Sequence, residues 1–337
     1  MVLPVALKYP SIQLFLCLAL VLCLIEWGVL VVGRKFKLGP TVSVRSSHKV
    51  FTPTLGGLVW VFSSILGVCL FGNLEWYNTW IFMIGIGVLA VISLIDDLHP
   101  LPPIPRLIAQ IVVMALSFSQ LCYKEAFDVF LLCLFCGVGL INAINFLDGI
   151  CGMLALYGIV VTGSLIYAFN MTSVTGLVLP EGIMWLVPVL VFVLIAQVVF
   201  ACFNLKDVIF AGDVGAITLG YIQVFAAITL MIATSDGSYM IFFAVCVFDT
   251  GLTTMQRLFL GESILEPHRM NIYQILTSDK KLPHIVVSLI YALLQLLINA
   301  LYFLLPAQLH WTFFLATCAL LTIAYFALRF SLRRPKA

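Results

Sequence analysis

Eleven apolar runs of about twenty residues, separated by short polar stretches, leave this chain very few folds. A run of that length matches the hydrocarbon thickness of a bilayer. Inside lipid the backbone must satisfy its own hydrogen bonds, and a helix does so within each run. The chain is 63% hydrophobic and only 9% charged, whereas a soluble domain carries about 25% charged residues. Too little polar surface remains to cover a soluble globule. The fold expected is therefore all-α and polytopic, a single transmembrane domain over 1–337 with about 11 spans. The spans are expected at 11–32, 54–72, 77–95, 106–122, 129–147, 152–169, 183–203, 214–233, 239–258, 284–304 and 310–328.

Charge sets the expected sidedness. Arg34, Lys35, Lys37, Arg45 and Lys49 follow the first span, so the positive-inside rule places that loop in the cytoplasm and the N-terminus outside. The basic tail with Arg329, Arg333, Arg334 and Lys336 then ends in the cytoplasm as well. On this layout only Lys8 and Lys124 lie outside, and the remaining fifteen of seventeen Lys and Arg face inward. The first run lacks both an early basic region and a small-residue cleavage site, so it reads as a retained span. The ten Cys lie mostly within apolar runs, without zinc-ligand spacing, and read as small buried hydrophobes.

Against that background the acids stand out. Asp96 and Asp97 sit where about eighteen apolar residues give way to a Pro-rich loop, and charge beside lipid usually has a task. Asp148, Asp207 and Asp213 fall on the same expected face, near helix ends, with Asn142, Asn145, Asn204, His268 and Arg269. A transporter would more often place such groups near the midplane. A set gathered on one face points to chemistry at the inner leaflet, between a water-soluble and a lipid substrate. Carboxylates at a phosphate site usually hold a hard cation, and Mg²⁺ takes oxygen ligands and substrate phosphates. Gly212 and Gly215 flank Asp213, and glycine permits tight turns and close approach. Asn142, Asn145 and Asp148 recur every third residue and share a helix face, which suits an inward-facing site or helix–helix hydrogen bonding. Arg269 has a planar fork suited to pyrophosphate. Asp249, inside the ninth span, has an open role, with Arg257 about two turns further along.

Taken together, Ser47-His48-Lys49 to Gly57, the Asp96-Asp97 pair, Asn142 to Gly149, Asn204 to Gly215, and His268-Arg269 form an ordered pattern. It resembles the polyprenyl-phosphate N-acetylhexosamine-1-phosphate transferases, the WecA/MraY superfamily, over about residues 33–275. Eleven spans and a cytoplasmic C-terminus look like the WecA branch. The resemblance implies a multi-pass protein of the bacterial inner membrane. It would move a sugar-1-phosphate, GlcNAc-1-phosphate as the first expectation, from a UDP-N-acetylhexosamine to undecaprenyl phosphate and release UMP. A 6-deoxy donor sugar is the alternative. It also implies Mg²⁺, with Mn²⁺ as substitute. Asp213 would be a metal ligand, with Asp96 and Asp97 positioning the lipid phosphate and Asp96 helping to hold the metal. Asp96, Asp97, Asp148, Asp213 and His268 would be the catalytic set, and Asn142, Asn145, Asn204 and Phe210, with Asp148, would lie by the nucleotide and diphosphate. His48, Lys49, His268 and Arg269 would meet substrate. The partners are the two substrates, the bilayer and, as an option, a second copy in a homodimer, with no nucleic acid. Cys151 stands where many relatives carry a second acid, Asn271 where many carry a second His, and Ala216 where Ser is common. MraY-type transfer of phospho-MurNAc-pentapeptide and a transporter or flippase for lipid-linked or anionic solutes are the competing readings.

Overall fold

The computed structural model describes residues 12–39, 51–72, 77–122, 125–174, 183–263 and 269–332, and among these no residue lies in a strand. Twelve α-helices follow one another: α1 (Ile12–Phe36), α2 (Leu58–Phe71), α3 (Tyr77–Leu98), α4 (Pro103–Leu121), α5 (Phe127–Leu147), α6 (Met153–Val174), α7 (Leu186–Asn204), α8 (Gly212–Thr234), α9 (Ala244–Phe259), α10 (Ile272–Ser278), α11 (His284–Leu304) and α12 (His310–Leu332). All but α10 occupy the expected spans. Among the described residues nine helical segments are long and apolar enough to cross a bilayer, which makes this a multi-pass membrane protein. Leu58–Phe71 and Pro103–Ser119 are shorter.

The shortness of α2 corrects the expected span 54–72. Its 14 residues reach about 21 Å, against a hydrocarbon core of about 30 Å. The residues before it, 51–57, are non-helical, and those from Thr52 to Gly57 are buried. Their backbone pairs instead with the segment entering α8. The Phe210 N–H donates to the Pro53 carbonyl at 2.8 Å, the Gly56 N–H to the Phe210 carbonyl at 2.8 Å, and the Gly57 N–H to the Ala211 carbonyl at 3.0 Å. Irregular backbone in a membrane bundle is tolerated where protein, not lipid, surrounds it.

Helix α8 is the central post. Every residue from Val214 to Leu230 is buried, as expected for a helix that is apolar on all sides. Helices α2, α3, α5 and α6 pack around it, while α1 and α12 turn Leu16, Leu20, Leu315 and Ile323 outward. Where α2 meets α8, Gly57 faces Gly215 backbone to backbone. The Trp60 indole locks the crossing by donating to the Gly215 carbonyl at 3.0 Å.

One span is broken inside the bundle. Gly237–Phe243 is a 3-10 turn that runs into α9, and the change of winding strands backbone groups. Gln295 of α11 recovers them. Its Oε1 accepts the Val245 N–H at 3.0 Å, and its Nε2 donates to the Ile241 carbonyl at 2.9 Å. Tyr157 of α6 donates its hydroxyl proton to the same Oε1 at 2.7 Å and accepts the Cys246 N–H at 3.2 Å.

The α2–α8 crossing gives a direct test. A Cβ on Gly57 would overlap Gly215 Cα and lie 2.6 Å from Gly215 N, both backbone atoms. Gly57→Ala should therefore destabilise the protein by about 1–3 kcal/mol, the usual cost of overpacking. A melting temperature in detergent equal to wild type would refute the crossing.

Candidate active site

Four helix termini meet at one end of the bundle: the ends of α3 and α5 and the starts of α4 and α8. Asp96 lies in the last turn of α3 and is buried. Its Oδ1 accepts the Leu101 N–H at 2.6 Å, and its Oδ2 pairs with the guanidinium of Arg106. The same Arg106 Nη1 donates to Asp213 Oδ2 at 2.9 Å. Arg106 stands in the first turn of α4, where Pro103 and Pro105 fit because helix-start N–H groups have no partner in the helix. One cation thus joins carboxylates from α3 and α8.

Asp97 takes a different role. Its Oδ1 accepts the Asp213 N–H and its Oδ2 the Val214 N–H, both at 2.9 Å. It therefore caps the start of α8 from a neighbouring helix, satisfying donors that lack intrahelical partners and setting negative charge at the positive end of the helix. Gly212 makes this approach possible. Its φ is +72°, and a Cβ there would overlap the Thr54 carbonyl and lie 2.7 Å from Asp97 Oδ2.

Asp148 terminates α5 as its C-cap. The expected three-residue repeat thus ends one step past the helix. The Asp148 carboxyl is pushed up to about 7, first by burial and then by the charge of Asp97. The two acids therefore feel each other.

Other expected site residues divide in their placement. Asn142 donates to Gln110 Oε1 of α4 at 2.6 Å and to the Val138 carbonyl at 2.8 Å, the helix–helix bond named above as one alternative. Asn145 is half-buried in the last turn of α5. Asn204 is buried. Its Oδ1 accepts the Gly152 N–H at 2.8 Å and its Nδ2 donates to the Ile209 carbonyl at 2.9 Å, so its amide ties α6 to the loop before α8. Phe210 joins the backbone pairing with Pro53 and Gly56. Cys151, in the place of the second acid, donates its thiol to the Asn204 carbonyl at 2.5 Å. Arg269 is exposed and lines a cavity of about 300 Å³ with Gln256, Asp279 and Arg329. His48, Lys49 and His268 lie outside the described residues. Asp249 does not pair with Arg257, which instead holds Glu262 at 3.0 Å.

Arg106 was not foreseen. Its only signal is a basic residue in the first turn of an apolar helix, which a solvated positive-inside residue gives equally well.

The donor chemistry fits a hard divalent cation. The candidate ligands are carboxylate oxygens, and burial together with the neighbouring charge of Asp97 pushes the Asp148 carboxyl up. Among the described residues no three His, Cys, Asp or Glu close around one point. Mg²⁺ takes one or two carboxylates and completes its shell with water and substrate phosphates, and Asp96 and Asp213 are the residues that would hold it.

Fold and site together define a multi-pass membrane protein with carboxylates and one guanidinium gathered where its helices end. Residues 79–231 match the family described as glycosyl transferase family 4. That stretch runs from α3 to α8 and contains Asp96, Asp97, Arg106, Asp148, Asn204 and Asp213. The match supports the superfamily resemblance and, in general terms, a polyprenyl-phosphate sugar-1-phosphate transferase; it does not single out the WecA-like branch. No curated protein matches the chain.

Two measurements follow. Arg106→Met leaves Asp96 and Asp213 without their shared cation. With the Arg106 side chain about a third exposed, water screens part of the loss, and stability should fall by about 1 kcal/mol. Thermal unfolding in detergent checks this, and an unchanged midpoint counts against the bridge. For Asp148 the folded chain holds its proton more tightly than the unfolded one, where a carboxyl titrates at about 3.9. The stability this adds is complete below about pH 4 and is lost as pH rises to about 7. Asp148→Asn should flatten the fall of melting temperature across that window. The same slope in both proteins would contradict this placement.

Proposed function

We propose that this protein transfers a sugar-1-phosphate from a UDP-N-acetylhexosamine to undecaprenyl phosphate, releasing UMP, at the cytoplasmic face of a bacterial inner membrane. GlcNAc-1-phosphate is the first choice of group. The observation that carries the reading is the convergence of Asp96, Asp97, Asp148 and Asp213 with Arg106 at one end of an apolar bundle. That end is where a lipid phosphate and a soluble nucleotide would meet. Arg34 and Lys35 close α1 at the same end, since Gly33 abuts Pro53 of the segment that pairs with Phe210. This supports a cytoplasmic placement.

In the reaction, a phosphate oxygen of the lipid attacks the sugar-bearing phosphorus of the donor. A new P–O bond forms, the bond from that phosphorus to the bridging oxygen breaks, and UMP leaves with the electron pair. Little covalent help is needed from the protein, so placement and charge are its contribution. Arg106 offers a fork to a phosphate, and its two carboxylate partners hold it in place. Asp97, with both oxygens on the α8 backbone, fixes the position of Asp213. Asp96 and Asp213 would hold Mg²⁺, which when bound offsets charge on the phosphates.

Purified protein with UDP-GlcNAc and undecaprenyl phosphate should release UMP only with Mg²⁺ or Mn²⁺ present. Asp213→Asn should lower the rate more than tenfold, about 1.4 kcal/mol of barrier or more. Full-rate transfer after EDTA would refute the metal, and uptake of a solute without UMP release would favour a transporter.

A further inference from the structure

Asp249 lies within the membrane-spanning part of α9 and is 5% exposed, yet the acid cluster makes no use of it. Three donors converge on its carboxylate. Oδ1 accepts the Ile272 N–H at 2.7 Å; Oδ2 accepts the Tyr273 N–H at 3.3 Å and the Tyr291 hydroxyl at 2.6 Å. A buried acid without such partners would be costly. Ile272 and Tyr273 are the first residues of α10, so Asp249 caps this helix from across the bundle. At seven residues, α10 is too short to stand on its own hydrogen bonds. Its start is held locally by the capping box of Asn271 with Gln274 and from across the bundle by Asp249.

Tyr273 carries that placement toward the acids. Its side chain is fully buried, and its hydroxyl donates to the Phe146 carbonyl at 2.6 Å. The hydroxyl also covers Gly149 so closely that a Cβ there would overlap it. Phe146 and Gly149 bracket the turn that bears Asp148. The Tyr273 ring meets Tyr291 edge-on, with centroids 6.2 Å apart, so the two tyrosines that touch Asp249 also touch each other. The far face of α10 does something else. Ile275 lies about 200° around the helix from Tyr273 and, with Arg269 and Asp279, lines the cavity beside α12. One short helix thus grips the Asp148 turn on one side and supports the Arg269 segment on the other.

We propose that Asp249 and Tyr273 are positioning residues. Asp249 sets the start of α10, Tyr273 latches it onto the turn 146–149, and the pair fixes how the Arg269 segment stands relative to Asp148. The consequence for the donor rests on the transferase reading; the latch itself does not. Tyr273→Phe deletes only the hydroxyl. Asp249→Asn keeps the volume but turns one acceptor into a donor facing N–H groups. Each should raise KM for the UDP-sugar about five- to tenfold and leave KM for undecaprenyl phosphate unchanged, and the double variant should be no worse than Asp249→Asn. A purely structural role would instead lower kcat through the folded fraction with both KM values intact, and that result overturns the proposal. Tryptic cleavage at Arg269 and Lys280 of the full chain in detergent reads the latch without turnover. It should be faster in both variants, and equal rates in all three proteins also overturn the proposal. If Asp249→Asn does not fold, Tyr273→Phe carries both readouts. If the wild type transfers nothing, the transferase reading falls, while the cleavage rates still decide on the latch.

Discussion

Two N–H groups at the start of α8 have no partner in their own helix, and Asp97 supplies one for each. Much of the site depends on that cap. It fixes where Asp213 points, and so where Arg106 can reach two carboxylates at once. It also requires Gly212, because any side chain there would collide with Thr54 and Asp97. The buried segment 52–57 backs the same loop through Pro53, Gly56 and Gly57. In water such a helix end would be solvated at little cost. In an apolar bundle the missing partners must come from side chains, and an acid on the neighbouring helix is the strongest available.

The same solution appears again at α10 with Asp249, and in neutral form at α9 with Gln295. In all three, a polar side chain in an apolar run meets backbone that secondary structure leaves unpaired. In these three places the polar groups are joints of the bundle. Their positions are fixed by helix ends and by changes of winding rather than by proximity to a reacting centre.

This explains which features the sequence displayed. Helix positions were legible, because lipid allows an apolar run of this length almost no other structure. The Asp96-Asp97 pair was legible as a candidate site because two adjacent acids at the end of an apolar run are hard to account for otherwise. Their division of labour was not: neighbouring residues on a helix point about 100° apart, and which neighbour each meets is a tertiary fact. Asn204 was legible as a polar residue at a helix end, but its bonds to the Gly152 and Ile209 backbone are tertiary facts. Arg106 resembled any inward-facing cation. Helix α10, at seven residues, is too short to give a periodic signal, and one of the groups that hold its start, Asp249, is far away in the chain. The shortening of α2 was hidden for a similar reason: 54–57 is apolar enough for a helix, and only its partner segment at 210–211 draws it into a turn.

The broken span before α9 has a consequence for how the protein is made. Its mean hydropathy, 1.4, is the lowest of the nine spanning segments. The group that repairs its backbone, Gln295, lies 50 residues beyond Val245 in the chain. As α9 leaves the ribosome, its partner in α11 has not yet been synthesised. The exposed Ile241 carbonyl and Val245 N–H must then be sheltered by water, the insertion machinery or an interfacial position until α11 arrives. Insertion of this protein is therefore not a simple succession of independent helices. A nascent chain halted before residue 284 should hold its ninth span only loosely, and extraction of such a chain from membranes by alkali would reveal it.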